Sequence, residues 1–221
     1  MRTSYKSSEL CSIIVTYQTK INEFRDILKR HQDNFQQVII VNNTPEIDLS
    51  QFESNQVMLI NNQGNIGLAS ALNIGILEAK KQGAKMVALF DQDTELPENF
   101  TKKMLNYINN YKCFAPVALY APIFNNRVTD KIQHYNNYKP SRLIPELVDE
   151  IDYSHPNYVI SSGSLIPMDV IDDVGLMCEE LFIDFIDTEW CLRARRKGYE
   201  IVAINKVRID HYLGDYMVQF M

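Results

Sequence analysis

Apolar and β-branched residues fall in short, nearly unbroken runs, separated by longer segments with helical spacing. Residues 10–16 (LCSIIVT), 38–41 and 57–60 have the continuous apolar character of strands covered on both faces. Between the first two, Ile21, Phe24, Ile27, Leu28, His31 and Phe35 recur at three- and four-residue intervals along one helical stripe. A polar turn at 61–67 leads to a second stripe, Leu68, Ala71, Leu72, Gly75, Ile76 and Ala79, which the pattern ends at Gly83. A fourth strand follows at 86–90. The third helix opens at Pro97, with Phe100, Met104, Leu105 and Ile108 on its apolar side, and another apolar run spans 115–121. This alternation predicts an α/β fold: an open, mostly parallel, Rossmann-like sheet flanked by helices.

From 123 to 158 the pattern weakens into Asn- and Tyr-rich sequence carrying Pro140, Pro145 and Pro156, expected to be an irregular or hairpin-bearing insertion. Order returns with a strand at 158–166, a turn at Pro167, a helix over 187–197 ended by Gly198, and strands at 201–204 and 207–209. Neither a repeat nor a low-complexity linker divides the chain, so residues 1–221 read as a single domain with halves at about 1–122 and 123–221.

Composition narrows the function. Apolar residues at 46% and charged residues at 23% exclude a chiefly disordered chain. Lys and Arg number 22 against 28 Asp and Glu, a net charge of -6, so no global positive field attracts nucleic acid. A local basic cluster remains at Arg193, Arg195, Arg196 and Lys197. The four cysteines, Cys11, Cys113, Cys178 and Cys191, lack CxxC spacing, which argues against a disulfide scaffold or zinc knuckle and for a reducing cytosol. The opening MRTSYKSSEL has neither a signal-peptide core nor the roughly 20 apolar residues of a membrane span. A cytoplasmic protein is expected, with peripheral contact at the inner face of the cell membrane left open.

Several familiar motifs fail. GNIG at 64–67 lacks the third glycine of a dinucleotide fingerprint; there is no GxxxxGK[ST] loop and no HExxH, and SSGS at 161–164 is not a GxSxG elbow. The run DQDTE at 91–95 begins like a calcium loop, but Leu96 stands where that loop needs glycine. Asp91 and Asp93 instead follow the fourth strand directly, and strand alternation would send both carboxylates to one side at the ligand-binding edge of a parallel sheet. Two carboxylates there repel unless compensated, and Mg²⁺ or Mn²⁺ holding substrate phosphates would compensate them. The same residues also suit a turn and an N-cap ahead of Pro97, and the triplet alone does not choose.

The wider set of motifs does choose. IIVTY at 13–17, VNN at 41–43, NQGNIGLASALNIGI at 62–76, DQD at 91–93, SSGSLIP at 161–167, DFIDTEWCLRARRKGY at 184–199 and HYLG at 211–214 occur in an order that resembles family 2 glycosyltransferases of the GT-A fold, rhamnosyltransferase-like members in particular. The resemblance spans about 12–214. It implies an inverting, metal-dependent glycosyltransferase using Mg²⁺ or Mn²⁺, with a nucleotide-sugar donor and a glycan or lipid-linked glycan acceptor. The preferred donor is dTDP-L-rhamnose, supplying L-rhamnose to a hydroxyl of a surface-polysaccharide intermediate. Two alternatives stay open: a UDP-sugar transferase of the same fold, and a non-catalytic nucleotide-sugar-binding assembly protein.

By resemblance Asp93 coordinates the metal, with Asp91 and His211 as further candidate ligands. Thr16, Tyr17, Asn42 and Asn43 match nucleoside contacts, and Gly64, Asn65, Gly67 and Asn73 complete the donor set. Many relatives carry Asp at the position matched by Asn42 or Asn43, and both asparagines equally suit a turn before Pro45. Asp187 matches the catalytic base, although Ile186 replaces the preceding Glu. Asp184 and Asp187, three apart, would share a face if both lay in the first turn of a helix, coupled electrostatically or acting as cap and first-turn acid. Trp190, Glu189 and Gly163 fall on the acceptor side, where Trp190 is balanced between pocket wall and core. Relatives commonly continue with a further helical region, so the family's C-terminal extension is expected to be absent.

Overall fold

The computed structural model describes residues 4–112, 115–126, 131–133 and 151–211. Strand β1 (Leu10–Thr16) is buried at every position, because both its faces carry apolar or internally bonded side chains. Cys11, Ile13 and Val15 pack with Leu72 and Ile76 of α2 (Leu68–Lys81), while Leu10 and Ile14 pack with Phe24 and Leu28 of α1 (Ile21–Asn34) on the opposite face. His31, on the predicted apolar stripe of α1, is fully buried and holds Ser12 Oγ at 2.9 Å through Nδ1. Burial pushes its pKa down to about 3, with the Thr94 backbone pulling the other way, so it serves as a neutral core residue.

The chain continues through β2 (Gln37–Asn42), β3 (Val57–Asn61), β4 (Met86–Asp91), α3 (Phe100–Asn110), β5 (Val117–Asn126), β6 (Lys131–Gln133), β7 (Tyr153–Ser154), β8 (Leu165–Pro167), α4 (Met168–Val174), α5 (Ile186–Arg196) and β9 (Glu200–His211). Among the described residues, these strands form one sheet in the order β3-β2-β1-β4-β8-β5-β9-β7, with β6 paired to β5. Pairs β1–β2, β1–β4, β2–β3 and β5–β9 are parallel, and the short β8 runs antiparallel between β4 and β5. The chain leaves β1 toward β2 and β3 and then crosses back to β4 on the other side. That reversal opens a crevice at the carboxyl ends of β1 and β4, the usual ligand position in such sheets.

Departures from the sequence reading have local causes. Helix α3 starts at Phe100 and not at Pro97, since Asn99 adopts a left-handed conformation (φ 58°) that turns the chain just before it. The strand expected at 158–166 contracts to Leu165–Pro167, because a tight turn precedes it, closed by Ser164 N–H donating to the Ser161 carbonyl. Helix α4 carries no sequence signal of its own: its apolar positions Met168, Val170, Ile171 and Val174 span too short a stretch to show a period, although Pro167 is suited to its start. The two strands expected at 201–204 and 207–209 are one strand, β9, whose break in pattern at Asn205 and Lys206 matches a register shift against β5 between Pro122 and Ile123. Most of the expected 123–158 insertion, Cys113 and the end of the HYLG motif lie outside the described residues.

Candidate active site

The crevice begins where β4 stops. Strand alternation ends at Asp91, and a turn over Gln92 and Asp93 takes its place, so the turn and not the pleat brings the two carboxylates together. The next residues are clamped to the far strand: Glu95 N–H donates to the Asp210 carbonyl at 3.0 Å and Asp210 N–H returns a bond to Glu95 at 3.2 Å. This bridge delivers His211, at the end of β9, to the aspartates across 118 residues of sequence (211 minus 93). His211 Nε2 lies 3.6 Å from Asp91 Oδ2, and Nδ1 lies 3.5 Å from Asp93 Oδ1.

One ligand atom from each of Asp91, Asp93 and His211 falls within 4.8 Å of the others. Two carboxylate oxygens and an imidazole nitrogen fit a hard or borderline divalent ion such as Mg²⁺ or Mn²⁺, which would keep further positions for water and phosphate oxygens. Hydroxyl groups that the sequence reading did not single out support this cluster from behind. Ser162 Oγ accepts from Asp91 N–H at 3.3 Å and meets Thr94 Oγ1 at 2.5 Å, and Thr94 Oγ1 lies 3.3 Å from His211 Nδ1. Thr94 and Ser162 are almost fully buried, so they brace Asp91 and His211 from behind without facing a ligand. Burial pushes Asp91 up to about 6; His211 and Ser162 oppose this, while the charges of Asp93 and Asp187 reinforce it.

The first turn of α5 is fastened to the same turn of chain that holds Asp91. Asp187 Oδ1 accepts from Thr188 N–H at 2.7 Å and Oδ2 from Ser161 N–H at 3.2 Å. The adjoining Ser162 holds Asp91, so the turn at 161–164 ties the two acids together. Desolvation by burial raises the pKa of Asp187, and the backbone N–H bonds restrain the rise. Asp184 precedes α5 and is exposed, so the two acids do not share a helical turn.

At the ends of β1 and β2, Thr16 and Asn43 are joined by a backbone bond from Asn43 N–H to the Thr16 carbonyl. Thr16, Asn42 and Asn43 are buried at this edge. Asn42 Nδ2 donates to the Ile47 carbonyl at 3.0 Å and to Asn61 Oδ1 at 2.9 Å, while its Oδ1 accepts from Thr44 N–H and Thr16 Oγ1. Asn43 Nδ2 donates to the Gly67 carbonyl at 3.2 Å and Oδ1 accepts from Asn62. These side chains shape the edge, as the turn reading of Asn42 and Asn43 expected. Tyr17 projects from it, 46% exposed.

Other expected site residues are drawn into the scaffold. Asn73 lies buried on α2 and fastens the loop after α4, donating to the Met177 carbonyl (3.0 Å) and Glu179 Oε1 (2.9 Å) and accepting from Met177 N–H (2.9 Å). Its amide is committed to protein partners, which corrects its assignment to the donor. Asn65 Oδ1 caps Gly67 N–H at 3.0 Å. Gly67 (φ 85°) has no room for a side chain, since a Cβ would stand 2.6 Å from the Phe182 ring and 2.8 Å from the Phe182 carbonyl. That carbonyl accepts from Leu68 and Ala69 N–H, so Phe182 occupies the start of α2 where donor contact was expected. Gly64 has open space around it. Gly163 (φ 84°) packs on Pro122 and Ile209 instead of presenting a surface.

Trp190 is 1% exposed and its indole N–H donates to the Gly175 carbonyl at 2.8 Å, which settles it as core. Glu189 forms a two-pronged pair with Arg193, both contacts at 2.8 Å, and Arg193 also donates to the Val174 and Leu176 carbonyls. Lys197 pairs with Asp173 at 3.0 Å. The basic cluster therefore divides: Arg193 and Lys197 knit α5 to α4, and Arg195 and Arg196 remain exposed. Cys11 and Cys191 are free, buried thiols pushed up to about 12, which excludes them as nucleophiles at neutral pH. Among the described residues no helix is long and apolar enough to cross a membrane.

A sheet with its crevice at the β1/β4 reversal, two aspartates at the end of β4 and a histidine from the far strand define a GT-A-type glycosyltransferase. Solved structures share the fold. GalNAc-T7 with UDP, GalNAc and Mn²⁺ superposes with a TM-score of 0.69 at 12% identity, over 92% of this chain and 44% of that one. TarS of S. aureus gives 0.65 at 14% identity, over 92% and 36%. This chain thus spans less than half the length of either.

The particular family follows from sequence. The Glycosyl transferase family 2 model matches residues 11–175. The chain is 32% identical over 220 residues to the dTDP-rhamnosyl transferase RfbF of Shigella flexneri, covering 96% of this chain and 72% of that protein. The chain belongs to glycosyltransferase family 2, as its motifs led us to expect.

Proposed function

We propose that this glycosyltransferase moves L-rhamnose from dTDP-L-rhamnose to a hydroxyl of a surface-polysaccharide intermediate, with inversion at the anomeric carbon. The donor assignment is supported by the likeness to RfbF. The mechanism is supported by one observation above all: adjacent residues of a single turn hold the two acids, Ser161 N–H donating to Asp187 Oδ2 at 3.2 Å and Ser162 Oγ accepting from Asp91 N–H at 3.3 Å, beside the Asp91, Asp93 and His211 cluster.

In this reading Asp91, Asp93 and His211 hold Mg²⁺ or Mn²⁺, which when bound supplies positive charge to the departing diphosphate. Tyr17 lies along the nucleoside. Asp187 takes the proton of the attacking acceptor hydroxyl, and its raised pKa makes it a stronger base than an exposed aspartate. The Thr188 and Ser161 N–H groups fix the carboxylate orientation; Oδ1 also accepts from the Thr188 hydroxyl at 3.5 Å, and Oδ2, bonded by Ser161 N–H, offers a second lone pair to that proton. Attack from the face opposite the leaving diphosphate inverts the configuration in one displacement.

A panel of nucleotide sugars, with Mn²⁺ or Mg²⁺ and lipid-linked glycan acceptors, read by mass analysis of products, tests this. Rhamnosylated product from dTDP-L-rhamnose, lost on chelation, is the expected result. Product from UDP-sugars alone would replace the donor, and donor binding without transfer to any acceptor would replace the enzyme with a binding protein.

A further inference from the structure

Gln92, between the two metal-site aspartates, has no role in the chemistry above, yet its side chain turns away from them and back over the end of β1. Its Nε2–H donates to the Tyr17 carbonyl at 2.8 Å, and its Oε1 accepts from Tyr17 N–H at 2.9 Å. The hydroxyl of Thr19 also donates to Oε1. The parallel β1–β4 ladder has its last pair at Val15 and Asp91, after which β4 turns aside. The Gln92 amide presents one donor and one acceptor to Tyr17, the residue just past β1, as a further strand residue would. On the other side the same loop is tied to β2: Gln18, at φ 48°, donates its N–H to Thr44 Oγ1 at 2.8 Å, and Thr44 N–H donates to Asn42 Oδ1 at 3.0 Å.

We propose that Gln92 is a positioning residue that fixes the Tyr17 loop against the Asp91–Asp93 turn, setting the distance between the nucleoside and diphosphate ends of the donor. The proposal rests on the nucleotide-sugar reading of the site. Both bonds to Tyr17 are solvent-exposed, so water can replace them when Gln92 is removed, and the Gln18 tether to Thr44 remains. The fold therefore survives, and what is lost is the preset loop. A donor must then bear the cost of ordering that loop, which weakens binding without altering the reacting groups.

The test uses the full chain with Gln92→Ala and Gln92→Met, the latter filling similar volume without either hydrogen bond. Titration with dTDP in the presence of Mn²⁺, and steady-state transfer at varied dTDP-L-rhamnose, should show both variants about tenfold weaker in dTDP affinity and donor KM. Turnover at saturating donor should stay near wild type, as should the Mn²⁺ requirement and thermal midpoint. Wild-type affinity in both variants, wild-type affinity restored by Met, or a fall in kcat with KM unchanged overturns the assignment. If wild-type protein binds UDP instead of dTDP, the donor assignment fails alone and the same comparison is made with UDP. Wild-type protein that binds no nucleoside diphosphate overturns both.

Discussion

The strand ends of the crevice and the helical wall around α5 carry motif residues of equal promise, yet they use them differently. At the strand ends, Asp91, Asp93, Tyr17 and His211 gather at the crevice because a parallel sheet delivers the ends of several strands to one edge. In the wall, Trp190, Glu189 and Arg193 share a motif with Asp187 but face the protein, bonded to Gly175, to one another or to the Val174 and Leu176 carbonyls. A residue just past a strand end has the crevice before it. A residue in a helix faces whatever that turn of helix packs on, and of this group Asp187 alone turns its carboxyl to the crevice.

The comparison breaks first at Asp187. Asp187→Asn should lower turnover by up to about 10⁴-fold while donor binding persists, the upper range for a general base. Asn can accept from only one of the Ser161 and Thr188 N–H groups, so a small loss in thermal midpoint should accompany it. Retained turnover in the purified variant would remove the base from the mechanism. The pH profile sharpens the same point. Burial raises the Asp187 pKa, so turnover should fall with decreasing pH through a value above the ordinary carboxylate pKa of about 4. By linkage, stability runs the opposite way: a carboxyl whose folded pKa is raised favours the fold more as it takes up its proton.

Trp190→Ala should be next in size, costing about 3–5 kcal/mol of stability measured by denaturant unfolding. Activity per folded molecule should hold, whereas an acceptor-wall role would show as a raised acceptor KM. Asp93→Ala should weaken Mn²⁺-dependent donor binding about 100-fold, given that even groups behind metal ligands commonly cost 10- to 100-fold. Calorimetric titration with Mn²⁺ and dTDP measures it, and unchanged affinity would remove Asp93 from the metal site. The smallest effect belongs to Glu189→Gln, which removes a partly exposed pair and should cost under about 1 kcal/mol. A large loss of transfer there would return Glu189 to the acceptor site.

Local spacing suffices for the α/β alternation, the burial of β1 on both faces and the location of Asp91 and Asp93 at the end of β4. Each of these follows from the spacing of nearby residues, since strand and helix periods are properties of the local backbone. Family motifs added Asp187 and His211 as candidates but could not say what they face. The packing of distant segments is what carries His211 to the aspartates through the Glu95–Asp210 bridge, sets Thr94 and Ser162 behind the cluster, and ties Gln92 to Tyr17. The same packing lets Asn73 clasp Met177 and Phe182 fill the start of α2. All of these join segments far apart in the chain, and a side chain's partners there depend on how separate elements dock, which no local period encodes.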